Sequence, residues 1–245
     1  MVISHILPID LLGLIEKRPF YMCLAHLAYK NDKYLDFYKK QSELGKFVLL
    51  DNGAYEGEQL TKEQMFEVVQ KIKPSEIILN DCLFDGPETI KLSKDSLKYY
   101  KSNGYTGKYM FVPQGNTFEE WKQCHNYMSL VDVSTIGIAK HINKTFNNDD
   151  ARYECCDWLK ETIFKIHLLG CQTNINEVYK IGKQFNNVRS CDTALAYIYS
   201  MDDKVCWYCD RPDCKIDFYN NELSEAQTEL LNWNISLIDN LVNSI

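Results

Sequence analysis

The sequence has little glycine and little proline, eleven and six residues in a chain of 245. Collagen-like and low-complexity chains need far more of both, so those classes are excluded. A hydrophobic content of 45% also excludes an intrinsically disordered chain. No stretch approaches the roughly 18 consecutive apolar residues of a membrane-spanning helix. Residues 1–19 show neither a basic leader nor a small-residue cleavage site, which predicts a cytoplasmic protein without a signal peptide.

Several functional motifs are missing as well. No GxGxxG or GxxxxGKS/T pattern follows an apolar run, which argues against a dinucleotide or nucleoside triphosphate site. The five His residues form neither the HxH nor the HExxH pattern of catalytic metal sites, and His141 alone follows a strand that carries candidate site residues. The formal net charge is -7, which excludes a protein that coats nucleic acid through bulk electrostatics. An enzyme that binds nucleic acid through one local basic patch remains compatible with this charge.

Seven short apolar runs rich in β-branched and aromatic residues recur along the chain. They cover residues 21–25, 47–51, 76–81, 109–113, 135–139, 165–169 and 188–192. The runs are nearly continuous rather than alternating with polar residues. This pattern is typical of strands buried on both faces of a parallel sheet.

Helical patterns lie between these runs. They cover residues 61–72, 87–102, 117–128, 150–162, 174–184 and 223–243. Thr61 with Gln64, and Thr117 with Glu120, have the spacing of capping boxes. Strand and helix alternate every roughly 27–30 residues, about one strand-plus-helix unit. Seven or eight units predict a (β/α)8 barrel as one domain over residues 1–245, with a cysteine-containing loop at 203–216 and a C-terminal helix; an open doubly wound sheet is the alternative.

Polar residues follow the predicted strands in an organised way. Asp51, Asp81 and Asp192 end three different strands, and Gln114 follows a fourth. In a parallel barrel the carboxyl ends of the strands build the active site, so these side chains are expected at one mouth. An Asp after a strand can also cap the next helix, and for each Asp alone the two interpretations have about equal weight. These three Asp residues and Gln114 together favour a binding site, because carboxylates and an amide can hydrogen-bond to the edge of a purine-like base. Glycines at the strand ends would let such a flat ligand approach the backbone.

Six segments, in order, resemble the tRNA-guanine transglycosylases and their DNA-modifying relatives that insert 7-deazaguanines. Residues 47–55 (FVLLDNGAY) resemble that family's strand ending in Asp-Ser-Gly-Gly-aromatic, and residues 75–81 (SEIILND) resemble its strand leading to a base-binding Asp. Residues 111–115 (FVPQG), 136–139 (IGIA) and 167–170 (HLLG) resemble its Gln-Gly, Gly-Gly-Leu/Ile-Ala and Leu-Met-Gly strands. Residues 190–193 (SCDT) resemble the strand that ends in its nucleophilic Asp. Each segment is weak alone, and the ordered set over residues 47–193 is more specific.

The resemblance implies a (β/α)8 barrel that exchanges guanine in nucleic acid for a 7-deazaguanine. It implies Asp192 as the nucleophile and Asp51 as the general acid and base. The implied substrate-binding residues are Asp81, Asn52, Gly53, Gln114, Gly115, Gly137 and Gly170. The chemistry would require no cofactor.

The chain departs from the family pattern at several points. Asn52 stands in place of the usual Ser, Ala54 in place of the second Gly, and Asp81 falls one residue early, with Asp85 as the alternative. The chain is also shorter than the tRNA enzymes, which predicts a minimal, phage-type version that acts on DNA rather than tRNA. Phosphate contacts would come from lysines such as Lys91 and Lys94.

The ten cysteines are expected to be reduced thiols, most of them small buried hydrophobic residues. Cys206, Cys209 and Cys214 have metal-like spacing and resemble part of the family's structural zinc site. The fourth ligand is not evident, with Cys171 and Asp213 as candidates, so a loop of buried thiols is the alternative to zinc. Two other functions also remain open: a barrel glycoside or nucleoside hydrolase that uses the same carboxylates, and a non-catalytic barrel that binds a nucleobase or nucleic acid.

Overall fold

Eight parallel strands form one sheet in the computed structural model, which describes residues 1–128, 132–171, 175–206, 216–221 and 223–245. The strands are β1 (Val2–His5), β2 (Phe20–Leu24), β3 (Phe47–Asp51), β4 (Glu76–Ile78), β5 (Lys108–Phe111), β6 (Thr135–Ala139), β7 (Lys165–Leu169) and β8 (Val188–Thr193). Their order is β1-β8-β7-β6-β5-β4-β3-β2, and the two end strands meet where the Met22 N–H donates to Ser4 Oγ at 2.8 Å. The (β/α)8 barrel is confirmed, and the open doubly wound alternative is wrong.

Helices follow the strands and surround the barrel. A 3-10 helix spans Ile9–Ile15, and the α-helices are α1 (Ala25–Lys30), α2 (Asp32–Glu43), α3 (Lys62–Ile72), α4 (Gly86–Ser102), α5 (Phe118–Met128), α6 (Ile142–Thr145), α7 (Ala151–Leu159), α8 (Asn176–Gln184), α9 (Leu195–Met201) and α10 (Glu225–Asn243). No helix in the described ranges is long and apolar enough to cross a membrane.

The predicted helix starts follow from local hydrogen bonding. Thr61 and Gln64 make both halves of the capping box at the start of α3. At α5 only half of the predicted box forms. The Glu120 N–H donates to Thr117 Oγ1 at 3.2 Å, whereas the Glu120 carboxylate accepts from the Asn116 N–H at 2.8 Å. The reciprocal bond thus goes to the residue before the predicted cap.

Two features of the sheet differ from the sequence prediction. The sequence prediction did not include strand β1, because only four residues pair there and two of them, Ser4 and His5, are polar. The predicted strand over 76–81 ends at Ile78. The Leu79 N–H still donates to the Met110 carbonyl at 3.0 Å, and Asn80 and Asp81 lie beyond that last bond.

The strands are buried on both faces, which explains their continuous apolar runs. The consecutive residues Val48, Leu49 and Leu50 on β3 are all fully buried. Because side chains alternate along a strand, one face of β3 is buried in the barrel interior and the other against the helices. The amino-end opening of the barrel is filled by an ion pair, in which Arg189 Nη2 donates to Glu76 Oε2 at 2.7 Å. The opposite end is left open.

Candidate active site

One cavity of about 720 Å³ opens at the carboxyl ends of the strands. Its wall includes all four polar residues predicted to converge, namely Asp51, Asp81, Gln114 and Asp192. Their side chains come from the ends of β3, β4, β5 and β8, so the barrel brings together residues up to 141 positions apart, the separation of Asp51 and Asp192. This end is where barrels of this kind hold their sites.

Asp51 is the last residue of β3 and is 9% exposed. Its Oδ2 accepts a hydrogen bond from the Gly53 N–H at 2.9 Å. Burial raises the pKa of Asp51 well above its usual range, and the negative charges of Glu56, Asp192 and Asp81 raise it further. The bond from Gly53 opposes this shift without cancelling it. Asp51 is therefore a carboxylic acid that holds its proton where an ordinary Asp has lost it.

Asp81 lies in a small network of amides. Its Oδ1 accepts from Asn52 Nδ2 at 2.7 Å and its Oδ2 accepts from Gln114 Nε2 at 2.6 Å. The two amides are oriented in turn, since Asn52 also donates to the Leu79 carbonyl and Gln114 Oε1 accepts from the Phe84 N–H. Burial raises the pKa of Asp81 to about 6, although both amide bonds favour the carboxylate. The network presents a fixed edge of donors and acceptors to the cavity.

Asp192 is held differently, because one of its oxygens takes both protein donors. Its Oδ1 lies 2.9 Å from the Gly170 backbone nitrogen, which donates to it, and 3.1 Å from His167 Nε2. Asp192 Oδ2 accepts no hydrogen bond from the described residues, and the residue lines the cavity. The carboxylate is thus fixed by one oxygen while the other is left for a ligand.

None of these three acids caps a helix, so the capping interpretation is wrong for them, and the site interpretation stays a prediction. The capping role falls to Asp85, whose Oδ1 accepts from the Glu88 N–H at 2.9 Å at the start of α4. Asp81, rather than Asp85, therefore lies in the site.

Two of the predicted glycines bind the carboxylates of the cavity through their N–H groups. Gly53 has φ +78°, and a Cβ there would lie 3.0 Å from the Glu58 carbonyl oxygen and from His26 Nδ1. Gly170 has φ +69°, and its N–H is the one that binds Asp192. Both positions combine a left-handed backbone with a donated hydrogen bond to a site carboxylate, which explains why glycine stands there.

The other two predicted glycines serve packing around the site. A Cβ on Gly115 would lie 2.7 Å from the Trp121 backbone nitrogen, so Gly115 allows the start of α5 to approach β5. A Cβ on Gly137 would lie 2.9 Å from both Val112 Cγ2 and Leu169 Cδ1, whose side chains line the cavity. Gly137 thus lies one layer below the cavity wall.

The chain has no match among protein-family models or curated protein sequences. Its structure is similar to a glycerol uptake operon antiterminator regulatory protein from Listeria monocytogenes, with TM-score 0.50 and 12% identity over 79% of this chain and 91% of that chain. It is also similar to a putative dihydrodipicolinate synthetase from Pseudomonas aeruginosa, with TM-score 0.51 and 12% identity over 99% of this chain and 83% of that chain. A methylaspartate ammonia lyase from Clostridium tetanomorphum gives TM-score 0.50 and 12% identity over 99% of this chain and 59% of that chain. At such identities the similarity shows the (β/α)8 fold alone, and the names cover both regulation and catalysis.

Sequence reasoning missed several residues in or next to the cavity. His167 is part of no histidine motif in the sequence, and its Nε2 lies 3.1 Å from Asp192 Oδ1. Lys30 and Lys144 line the cavity, and Lys140 does so with its ammonium 4.9 Å from the centre of the Tyr55 ring. The available signal was position, since Lys140 directly follows β6 and Lys144 lies one helical turn further on.

His141, the histidine singled out from the sequence, lines the same cavity. Its ring packs edge-on against Phe84 at 5.0 Å between centroids. Burial, with the positive charges of Arg152 and Lys140, lowers the pKa of His141 to about 4. His141 is therefore neutral near pH 7 and offers a hydrogen-bonding ring rather than a charge.

The predicted zinc ligands are only partly within the described residues. Cys206 is buried, and its N–H donates to Asn234 Oδ1 at 2.9 Å. Cys209 and Cys214 lie outside the described residues, so the zinc site stays a prediction. Within the described ranges no three His, Cys, Asp or Glu side chains are grouped to hold a metal ion.

Proposed function

We propose that this protein is a base-exchange transglycosylase that replaces guanine in nucleic acid with a 7-deazaguanine. The observation that carries the proposal is one cavity lined by two carboxyl groups with different hydrogen-bond partners, Asp51 and Asp192, together with Asp81, which is held by two amides. Asp51 is buried so that it keeps a proton, and Asp192 is held by N–H donors with one oxygen left over. A protonated acid and a positioned carboxylate are the pair that a displacement at an anomeric carbon needs.

In the proposed first step an Asp192 carboxylate oxygen forms a bond to C1′ of the target nucleotide while the bond from C1′ to guanine N9 breaks. The departing guanine keeps the electron pair of that bond, and the Asp51 carboxylic acid supplies its proton. In the second step the ionised Asp51 removes the N9 proton of the incoming 7-deazaguanine. That nitrogen then bonds to C1′ and displaces the Asp192 carboxylate, so both acids return to their starting states.

Asp81, which is held by the Asn52 and Gln114 amides, is the residue proposed to recognise the base. Each of its oxygens accepts one amide hydrogen bond and keeps a second lone pair for the N1–H and exocyclic amine of a guanine-type ring. Because Asn52 and Gln114 hold the carboxylate in place, binding costs little reorganisation. A pKa of about 6 leaves Asp81 mostly ionised at pH 7 and suited to accept two donors.

The proposed nucleic-acid partner is DNA rather than tRNA. The described residues hold the barrel, the helices between its strands and one further helix, α10, so the contact surface is small. Lys140 and Lys144 at the cavity mouth are suited to contact phosphates beside a flipped-out nucleotide. Because each phosphate contact adds to the salt dependence, a few such contacts imply only a modest fall in affinity as salt rises.

The test is labelled-guanine exchange into duplex DNA, single-stranded DNA and tRNA, run in parallel at two salt concentrations. A covalent protein–DNA complex that survives denaturant, and label incorporated into DNA, support the proposal. Efficient exchange into tRNA with none into any DNA contradicts the DNA assignment. Guanine release without incorporation of the label indicates the hydrolase. If no covalent adduct forms and no guanine is released, the protein is a binding protein.

A further inference from the structure

A line of hydrogen bonds runs through the barrel interior from Asp192 to the closed amino end. His167 Nε2 lies 3.1 Å from Asp192 Oδ1, and His167 Nδ1 lies 2.8 Å from Ser190 Oγ. Ser190 Oγ in turn accepts from Arg189 Nε at 3.1 Å, and Arg189 is paired with Glu76. The line connects three layers of the barrel, and His167, Ser190 and Glu76 are all fully buried.

The two ends of this line together determine how the protons are arranged. Arg189 Nε is always a donor and uses one lone pair of Ser190 Oγ, but the second lone pair leaves both directions of the Ser190–His167 bond open. The Asp192 carboxylate decides between them: with the imidazole proton on Nε2 facing Asp192, His167 Nδ1 accepts from the Ser190 hydroxyl. The other tautomer would set a bare Nε2 against a carboxylate oxygen, which is repulsive when Asp192 is ionised.

The guanidinium that starts the line is itself immobilised. Arg189 Nη1 donates to Thr135 Oγ1 at 3.2 Å, and the Thr135 hydroxyl donates to Glu76 Oε1 at 2.6 Å. Arg189 also lies over the Phe47 ring, 5.0 Å from its centre. The orientation of Ser190, and through it of His167, is therefore set by groups outside the cavity.

The groups that face His167 keep it neutral. Burial lowers the pKa of His167, the charge of Arg189 on β8 lowers it too, and Asp192 on β8 and Glu76 on β4 raise it. On the β2 side the Phe20 ring lies 6.0 Å away and carries no charge. A neutral ring is the form that both donates through Nε2 and accepts through Nδ1.

We propose that His167 is a positioning residue for Asp192: its Nε2–H and the Gly170 N–H fix Oδ1, so that Oδ2 faces the cavity as the attacking oxygen. This inference rests on the proposed function for the attack, whereas the tautomer and the fixed oxygen stand without it. The imidazole forms no bond to substrate. It limits rotation of the carboxylate, and misplacement of a reacting atom by about 1 Å costs about 100-fold in rate.

Nuclear magnetic resonance of the full chain labelled with ¹⁵N-histidine tests the tautomer without any activity. The His167 signals are assigned by their loss in His167→Gln. From about pH 7 to pH 8 we expect protonated Nε2 and unprotonated Nδ1. A proton on Nδ1, or titration of the ring within that range, overturns the proposal.

The rate of adduct formation with guanine-containing DNA tests the positioning role. His167→Gln can present its side-chain N–H where Nε2 lay, whereas His167→Leu cannot donate. We expect His167→Leu to form the adduct about 100-fold more slowly, with His167→Gln recovering most of that loss. The matched controls are His5→Leu and His5→Gln, at a second fully buried histidine with a carboxylate partner outside the cavity, Asp239.

Melting temperatures of all four variants show that each is folded before its rate is read. Equal losses in His167→Leu and His167→Gln contradict positioning by a donated hydrogen bond. A structure of the trapped complex gives the last check, since an ester through Oδ1 instead of Oδ2 also contradicts it. Absence of any adduct in the unaltered protein contradicts the proposed function and leaves the tautomer measurement to decide the positioning of Asp192.

Discussion

Two buried histidine–aspartate pairs lie in this molecule, one inside the barrel and one between the sheet and a helix. His167 and Asp192 lie on neighbouring strands β7 and β8, 3.1 Å apart. His5 on β1 and Asp239 on α10 lie 3.0 Å apart. Both histidines are buried, and burial lowers the pKa of each. What differs is the second oxygen of each carboxylate.

Asp239 uses both oxygens for the protein. Its Oδ1 takes His5 and its Oδ2 forms an ion pair with Arg18. Burial alone would raise the pKa of Asp239, but the bonds and charges of His5 and Arg18 outweigh it and hold the pKa below its usual value. Asp192 has both of its neighbours on Oδ1, and Oδ2 accepts no hydrogen bond from the described residues. A fully paired carboxylate holds α10 on the barrel, and a half-paired one is available for chemistry.

The largest expected effect comes from exchanging each aspartate for its amide. Asp192→Asn should lower adduct formation by at least about 1,000-fold, because an amide oxygen is a poor nucleophile. Asp239→Asn makes the same chemical change outside the cavity and should leave the rate within about twofold once the protein is folded. The measurement is the rate of denaturant-resistant complex formation. Similar rates of adduct formation in the two variants would contradict the proposal that Asp192 reacts and Asp239 does not.

Asp51 extends the comparison to a third carboxyl group, because its role in the first step depends on holding a proton. Asp51→Asn should lower turnover by about 100- to 10,000-fold, the range for losing a general acid and base, while base binding survives. In the unaltered protein the first step should slow as pH rises through the raised pKa of Asp51, since the acid loses its proton there. Adduct rates across pH, together with base affinity, check this. A rate that rises with pH through that region would contradict the assignment.

Asp239 also makes a pH-dependent contribution to stability. Its pKa is lowered in the folded protein, so its contribution to stability is present above the unfolded value of about 3.9 and is lost as pH falls through the folded value. Asp239→Asn should therefore lower the free energy of unfolding by about 1–2 kcal/mol near pH 7. The difference from the unaltered protein should narrow as the pH falls below about 4 and close below the lowered pKa of Asp239 in the folded protein. Denaturant titrations at both pH values decide, and a gap that persists in acid would show that packing, not charge, holds α10.

Much of the fold and part of the site could be predicted from the sequence. Apolar runs ending in Asp51, Asp81 and Asp192 carry both the strand and the polar residue that follows it, so their convergence follows once the sheet is parallel. The transglycosylase resemblance added their roles, which stay proposals. The short β1 was missed because its polar Ser4 and His5 find partners on β2 and α10 that are distant in the sequence.

The partners of the reacting groups were the part that the sequence could not reveal. His167 meets Ser190 through a strand register that shifts between Ile166 and His167, and no local pattern predicts such a shift. The glycines show the same limit. Gly170 donates to a catalytic candidate while Gly137 makes room for Leu169, and only the packed neighbours distinguish these two uses.

The smallest expected effect tests the backbone donor that Asp192 has and Asp239 lacks. Gly170→Ala keeps the N–H but forces a Cβ onto φ +69°, beside the flexible Lys140 side chain. The matched control is Gly45→Ala, at φ +73° in a turn where a Cβ meets nothing. Both variants should lose about 1 kcal/mol of stability from the left-handed backbone. Gly170→Ala alone should also slow adduct formation, by less than about tenfold, because a strained residue 170 shifts its N–H relative to Oδ1. Denaturant titration measures the loss of stability expected in both variants. The rate of adduct formation shows whether Gly170→Ala alone is slower. Equal adduct rates in both variants would show that His167 fixes Asp192 without help from residue 170.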